Sequence, residues 1–250
     1  MTSRTALITA GVGAVTALAV AGATPALARP PAADSDTATV SVLHAVPGLT
    51  VDVYADGREL VPDFKPGDLT DPRQLDAGSY DIQVFEDGEG PDGEPAVQKK
   101  VEVPAGADAT VVAHLDENGT PTLDAYVNDL SKPAAGKARL TVRHVAAAPP
   151  VDVRAGGTPV FKDLTNPDEA KGEVTAGTVR ADVVLAGTDT VAVGPADLNL
   201  AEGTHTVVYA WGSAQDENLA LKTQTFDDLR SSPTGSPTGG TGTGTGTGTG

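Results

Sequence analysis

One stretch appears twice in this chain, a hundred positions apart, and it constrains the fold more than any other feature. The first copy reads Val40-Ser-Val-Leu-His44-Ala-Val-Pro47-Gly-Leu-Thr-Val51-Asp52-Val53-Tyr54-Ala-Asp-Gly57. The second reads Leu140-Thr-Val-Arg-His144-Val-Ala-Ala-Ala-Pro-Pro-Val151-Asp152-Val153-Arg-Ala-Gly-Gly157. Seven of these eighteen positions are identical. Solenoid periods run about 20–50 residues, so a repeat this long is a whole domain. The likeness continues downstream. Ala77-Gly78 is answered by Ala176-Gly177, Thr110-Val-Val by Thr206-Val-Val, and Asn128-Asp-Leu by Asp227-Asp-Leu.

Within each copy the apolar pattern has a period of two. Val40, Val42 and His44 alternate with Ser41 and Leu43, and Tyr80, Ile82 and Val84 alternate with Asp81 and Gln83. Such runs, punctuated by Asp56-Gly57, Asn118-Gly119 and other turn dipeptides, read as short strands. In the second copy strands are expected at 138–146, 150–155, 178–186, 204–211 and 218–226. Pro62 to Gly67 reads as a loop, and Asn166 to Lys171 as a capped turn. No window carries a helical stripe. The expected fold is all-β, two tandem immunoglobulin-like β-sandwich domains with a disordered C-terminal tail. The expected divisions are a signal peptide (1–28), a flexible lead (29–38), the first sandwich (39–130), a linker (131–137), the second sandwich (138–230) and the tail (231–250).

The motif His44-Ala-Val-Pro47, followed by Val51-Asp52-Val53-Tyr54 and Asp56-Gly57, resembles the opening of a bacterial secreted family catalogued as domain of unknown function 4397. The second copy keeps His144 and Val151-Asp152-Val153 but has Ala147 for the proline and Arg154 for the tyrosine. The resemblance implies a secreted β-sandwich present in two tandem copies. It implies no reaction.

The N-terminus supports export. Arg4 precedes an apolar run from Leu7 to Val20 and the small-x-small pattern Ala26-Leu-Ala28, as in a cleaved secretory signal. No stretch is expected to span a membrane after its removal. The chain has no cysteine, which removes disulfides, thiolate nucleophiles and cysteine–zinc sites. Its formal charge is −17, with 19 acidic and 5 basic residues over 39–130 but 13 and 9 over 137–230. Such a field repels nucleic acid and anionic lipid and keeps an extracellular protein soluble. The Ser/Pro/Thr/Gly composition from Ser231 onward suits a disordered, wall-crossing spacer.

The motif residues His44, Pro47, Val51, Asp52, Val53, Tyr54, Gly57, His144, Val151, Asp152, Val153 and Gly157 are expected to serve the fold. By strand parity the two histidines share the core face with Val42 and Val142. Asp52 and Asp152 are expected to bond backbone at the sandwich rim, or to pair with the histidines across the Pro47-Gly48 turn. A His–Asp pair lacks the nucleophile and oxyanion site of a hydrolase, and no Gly-x-Ser-x-Gly elbow exists. Oxygen-rich Glu86-Asp87-Gly-Glu89-Gly-Pro-Asp92-Gly-Glu94 is a weak calcium candidate, with a solvated hairpin as the simpler account. Trp211 is expected in the second core. No catalytic residue and no cofactor is assigned. The function expected is a secreted or cell-surface, non-enzymatic binding or structural module with an extracellular or cell-wall partner. The alternatives are a calcium-dependent adhesion module and an extracellular hydrolase.

Overall fold

A computed structural model describes residues 36–227 and 229. The expected signal sequence, most of the lead and the tail lie outside the described residues. The first repeat comprises β1 (Thr37–Ala45), β2 (Val51–Ala55), β3 (Arg58–Phe64), β4 (Arg73–Asp76), β5 (Gly78–Glu86), β6 (Val97–Val103), β7 (Asp108–Leu115) and β8 (Pro121–Val127). The second comprises β9 (Lys137–Ala147), β10 (Val151–Ala155), β11 (Thr158–Leu164), β12 (Glu169–Thr175), β13 (Gly177–Leu185), β14 (Val191–Leu200), β15 (His205–Ser213) and β16 (Ala220–Phe226). The described residues hold no helix.

Each repeat is a sandwich of two four-stranded sheets. In the first the orders are β4-β1-β7-β8 and β3-β2-β5-β6; in the second they are β12-β9-β15-β16 and β11-β10-β13-β14. The pairs β1–β7 and β9–β15 are parallel. The hairpin β2–β3 turns at Asp56-Gly57, both with positive φ (50° and 74°), as the two-residue turn between twisted strands requires. Gly156-Gly157 does the same in the second repeat.

Alternation fills the cores. Val40, Val42, Val51, Val53, Ile82, Val84, Val101 and Val111 pack together in the first sandwich. Leu140, Val142, Val151, Val153, Val183, Leu200 and Val208 do so in the second. A third apolar cluster joins the two repeats: Leu43, Ala45 and Val112 meet Val145, Val207 and Tyr209. The sheet containing β1 and β7 therefore packs against the one containing β9 and β15. Both inner sheets are covered on two faces, which is why β1, β7, β9 and β15 are buried almost without alternation.

Several expectations are corrected. Residues 62–64 belong to β3 rather than a loop, because β3 is an edge strand and an edge tolerates Pro62. Residues 169–171 open β12 rather than close a capped turn, with only 166–168 outside it. Strands β11, β12 and β14 were not expected; β11 and β14 are edge strands carrying Pro159 and Pro195. Thr37 and Ala38, expected in the lead, belong to β1, where Ala38 is buried. The equivalence of Thr110 with Thr206 is one residue out. Thr110 pairs with Ser41 and Val207 with Thr141, so Thr110 corresponds to Val207. A slip of one exchanges the two faces of a strand.

Candidate functional site

The paired histidines are built into turns. His44 is fully buried, and its Nε2 donates to the Leu49 carbonyl at 2.8 Å while Nδ1 accepts the Val46 amide at 3.4 Å. His144 repeats this, with Nε2 to the Pro149 carbonyl at 3.1 Å and Nδ1 accepting the Ala146 amide at 3.4 Å. Each ring closes the loop that leads from the inner sheet to the outer one. Burial holds both imidazoles below their ordinary pKa, against the opposing pull of the carbonyl each donates to. With both ring nitrogens committed to backbone, neither is poised to take a proton from a substrate. Neither bonds an aspartate, so the expected alternative of a His–Asp pair across Pro47-Gly48 is not formed.

The paired aspartates point the other way and hold backbone at the rim of the outer sheets. Asp52 Oδ1 accepts the Asp63 amide at 2.9 Å and Oδ2 the Gly88 amide at 3.3 Å. Asp152 accepts Asp163 at 2.9 Å and Gly187 at 3.2 Å. The Asp63 and Asp163 amides lie where a register shift bends β3 and β11, at residues with φ of 47° and 53°, and the Gly88 and Gly187 amides lie in the loops after β5 and β13. Backbone donors hold the Asp152 carboxyl below its usual range. Val51, Val53, Val151 and Val153 are core residues. Pro47 lies in the turn after β1 and Gly57 in the β2–β3 turn.

Position 54 also holds a loop, by different chemistry in each repeat. Tyr54 stacks edge-on against Phe85, with ring centroids 5.4 Å apart, and its hydroxyl lies beside Gly90 of the acidic hairpin. Arg154 instead grips Asp182 through two bonds of 2.8 and 2.7 Å and reaches Asp189 at 3.0 Å. The motif thus anchors the β5–β6 and β13–β14 loops on the outer faces.

Of the calcium candidates Glu86, Asp87, Glu89, Asp92 and Glu94, only Asp87 joins a group with ligand spacing among the described residues. Its partners are Asp52 and Asp63, with one oxygen of each within 4.8 Å of the others. Both oxygens of Asp52 already accept backbone amides. Asp152 and Asp163 keep the same arrangement where Ala186 replaces Asp87, so these aspartates have a role that needs no cation.

The seam between the repeats carries the polar cluster that sequence reasoning missed. Arg143 is 1% exposed. Its guanidinium donates to Glu169 at 2.9 Å, to the Tyr209 hydroxyl at 2.7 Å and, across the seam, to Asn128 Oδ1 at 3.0 Å. It also lies over the Tyr126 ring of the first repeat, 4.5 Å from the centroid. The Tyr209 hydroxyl passes its own proton to Gln224, which also accepts from Thr110 across the seam at 3.1 Å. Asn166 gives both amide protons to carbonyls, one to Leu115 and one to Ala146, so it ties both repeats. Tyr126 donates to the Pro167 carbonyl at 2.7 Å. Trp211 belongs to this seam rather than to the second core, and its ring packs on Gly67 of the first repeat. Position 143 corresponds to Leu43; alternation along β9 puts Arg143 on one face with Arg139 and Thr141, a polar stripe that gives no sign of burial.

His114 and His205 lie on the seam-facing sheets without being equivalents. His114 meets Asp124 at 2.9 Å, and Asp124 also holds Lys99 at 2.8 Å. His205 meets the Thr141 hydroxyl at 2.9 Å, and burial with Arg139 nearby lowers it to about 4.

At one end of the seam, loops of both repeats enclose a cleft of about 420 Å3. Its lining includes Glu117 and Asn118 from the first repeat and Ala147, Pro150, Asn166 and Gln215 from the second. Clefts of this size between domains are common ligand sites. Among the described residues no helix is long and apolar enough to cross a membrane.

No curated protein matches the chain. The solved structures that match include two with TM-scores far below 0.5. The Bacillus anthracis TIE protein is 11% identical with a TM-score of 0.22, over 75% of this chain and 34% of that one, so the chain spans about a third of its length. The family 26 carbohydrate-binding module CBMbc from Eubacterium rectale Amy13K, solved with maltoheptaose, is 13% identical with a TM-score of 0.23, over 78% and 98%. Residues 38–154, which hold the first sandwich and the opening strands of the second, match the family model described as Domain of unknown function (DUF4397).

Proposed function

We propose that the chain is a secreted or cell-surface, non-enzymatic module whose two sandwiches act as one rigid body that binds or spaces an extracellular partner such as a wall polymer. The observation that carries this reading is the use made of the repeated polar residues. His44, His144, Asp52 and Asp152 spend their hydrogen bonds on backbone, twice over and in the same way. That is what a frame needs, and it leaves these groups uncommitted to a substrate. The basic start, apolar run and Ala26-Leu-Ala28 of the N-terminus support export. The −17 charge argues against nucleic acid and anionic lipid as partners.

The test is co-sedimentation of residues 29–250 and of residues 29–230 with purified cell-wall sacculi at physiological salt, with and without calcium. Retention of both chains supports recognition by the sandwiches, and retention of the longer alone assigns it to the tail. Retention only with calcium favours the acidic hairpin as the adhesive element. If neither chain pellets under any condition, the wall-bound reading fails.

A further inference from the structure

The cleft at the end of the seam has a chemistry of its own. Its frame is fixed from both sides. Asn166 Nδ2 donates to Leu115 of the first repeat at 2.8 Å and to Ala146 of the second at 2.7 Å. Asp116 Oδ1 accepts the amides of Asn118 and Thr120, both at 2.8 Å, which sets the turn bearing Glu117. Ala147 accepts the Ala214 amide at 3.0 Å, which joins two further walls.

These bonds leave the cleft rich in acceptors. With both its amide protons donated, Asn166 keeps only Oδ1, which accepts no bond among the described residues. Glu117 makes no ion pair among the described residues, and its carboxylate is exposed. Among the described residues no Lys, Arg or His lines the cleft, so an anion would meet no counter-charge from them there. Ala147 and Pro150 supply small apolar wall that accepts a methylene stem but offers no aromatic platform for a sugar ring.

From this combination we infer that the seam cleft binds a primary alkylammonium group on a short apolar stem. This chemistry is shared by a lysine side chain and a free diamine. The ammonium has three donors and no acceptor. It pairs with Glu117 and Asn166 Oδ1 while its methylenes lie on Ala147 and Pro150. Because the walls come from both repeats, neither repeat alone contains the site. The inference names a ligand class for the binding-module reading and rests on it. Amine binding and sacculus retention are read by separate assays, so either can fail alone.

The experiment is a titration of isotope-labelled residues 29–250 with 1,5-diaminopentane and, in a second arm, with Nα-acetyl-lysine methylamide, followed by nuclear magnetic resonance. The neutral control is 1-pentanol. Saturable shifts of the Asn118, Asn166 and Gln215 side-chain amides are expected, with half-saturation of about 1 mM, the affinity of one such contact. Glu117→Gln should weaken binding at least about fivefold while leaving the melting temperature in place, and 1-pentanol should not saturate. Tighter binding in the lysine arm points to a lysine-bearing polymer, and tighter binding in the diamine arm to a free amine; either supports the shared chemistry. Shifts that stay linear to about 50 mM overturn the proposal. So do shifts centred on Glu86–Glu94, or an affinity indifferent to Glu117→Gln.

Discussion

Replacing Arg143 by leucine, the residue at the equivalent Leu43, tests what holds the two repeats together. Arg143 is 1% exposed, and its guanidinium serves three acceptors and lies over the rings of Tyr126 and Tyr209. Its removal strands Asn128 Oδ1 in the seam, at about 1–3 kcal/mol for a buried unsatisfied acceptor. The lost cation–aromatic contact with Tyr126 adds about 1–2 kcal/mol. Glu169 keeps 28% side-chain exposure and regains water, so its lost pairing adds little, and burial of the leucine offsets part of the loss. The net cost is about 3 kcal/mol, or roughly 6–12 °C in melting temperature for a body of this size. Urea unfolding with Trp211 fluorescence reports the seam directly, because Trp211 packs on Gly67 of the other repeat. Arg180→Leu, on the exposed outer sheet, should change stability by no more than about 0.5 kcal/mol. An Arg143→Leu protein that unfolds like the unmodified one would refute the assignment of the seam network as a stabilising joint.

Other outcomes follow from the same frame. The folded-state pKa of His205 is lowered to about 4, so the unfolded chain takes up this proton first. Its contribution is present above about pH 6.5 and lost as pH falls toward 4, and His205→Asn should flatten the stability–pH slope there by about 1.4 kcal/mol per pH unit. The Asp152 carboxyl is depressed, so its contribution is present above about pH 4 and lost as pH falls through the folded value. Asp152→Asn should therefore be less stable at pH 7, and the difference should vanish in acid, as equilibrium unfolding at both pH values would show. Gly67→Ala, with φ of +84° and a Cβ 3.1 Å from the Trp211 ring, should destabilise by about 1–2 kcal/mol and shift the tryptophan emission. Gly57→Ala, equally left-handed but facing open space, should leave that emission unchanged.

How much was legible in the chain varies from element to element. The duplicated motif announced two equivalent folds, because the same residues recur in the same order around the same turns. Val51, Val53 and their counterparts marked the core through simple alternation. Strands β3, β11 and β14 were obscured by Pro62, Pro159 and Pro195, which a central strand would exclude but an edge strand accepts. The seam left a trace that alternation alone does not decode. β1 reads Val-Ser-Val-Leu-His-Ala and β7 reads Thr-Val-Val-Ala-His-Leu, nearly continuous apolar runs that signal a sheet covered on both faces. Burial of Arg143 could not be read from alternation, because it shares a face of β9 with Arg139 and Thr141 and its acceptors Asn128, Glu169 and Tyr209 lie 15, 26 and 66 positions away. The cleft was invisible for the same reason, since its walls come from loops of two repeats.

The most direct test of the account is scanning calorimetry of residues 29–230 at pH 7. Two sandwiches joined through Leu43, Val112, Val207, Tyr209 and the Arg143 network should melt in one transition whose calorimetric and van't Hoff enthalpies agree. Two resolved transitions, or a calorimetric enthalpy near twice the van't Hoff value, would mean that the repeats unfold independently and that the seam is not the joint described.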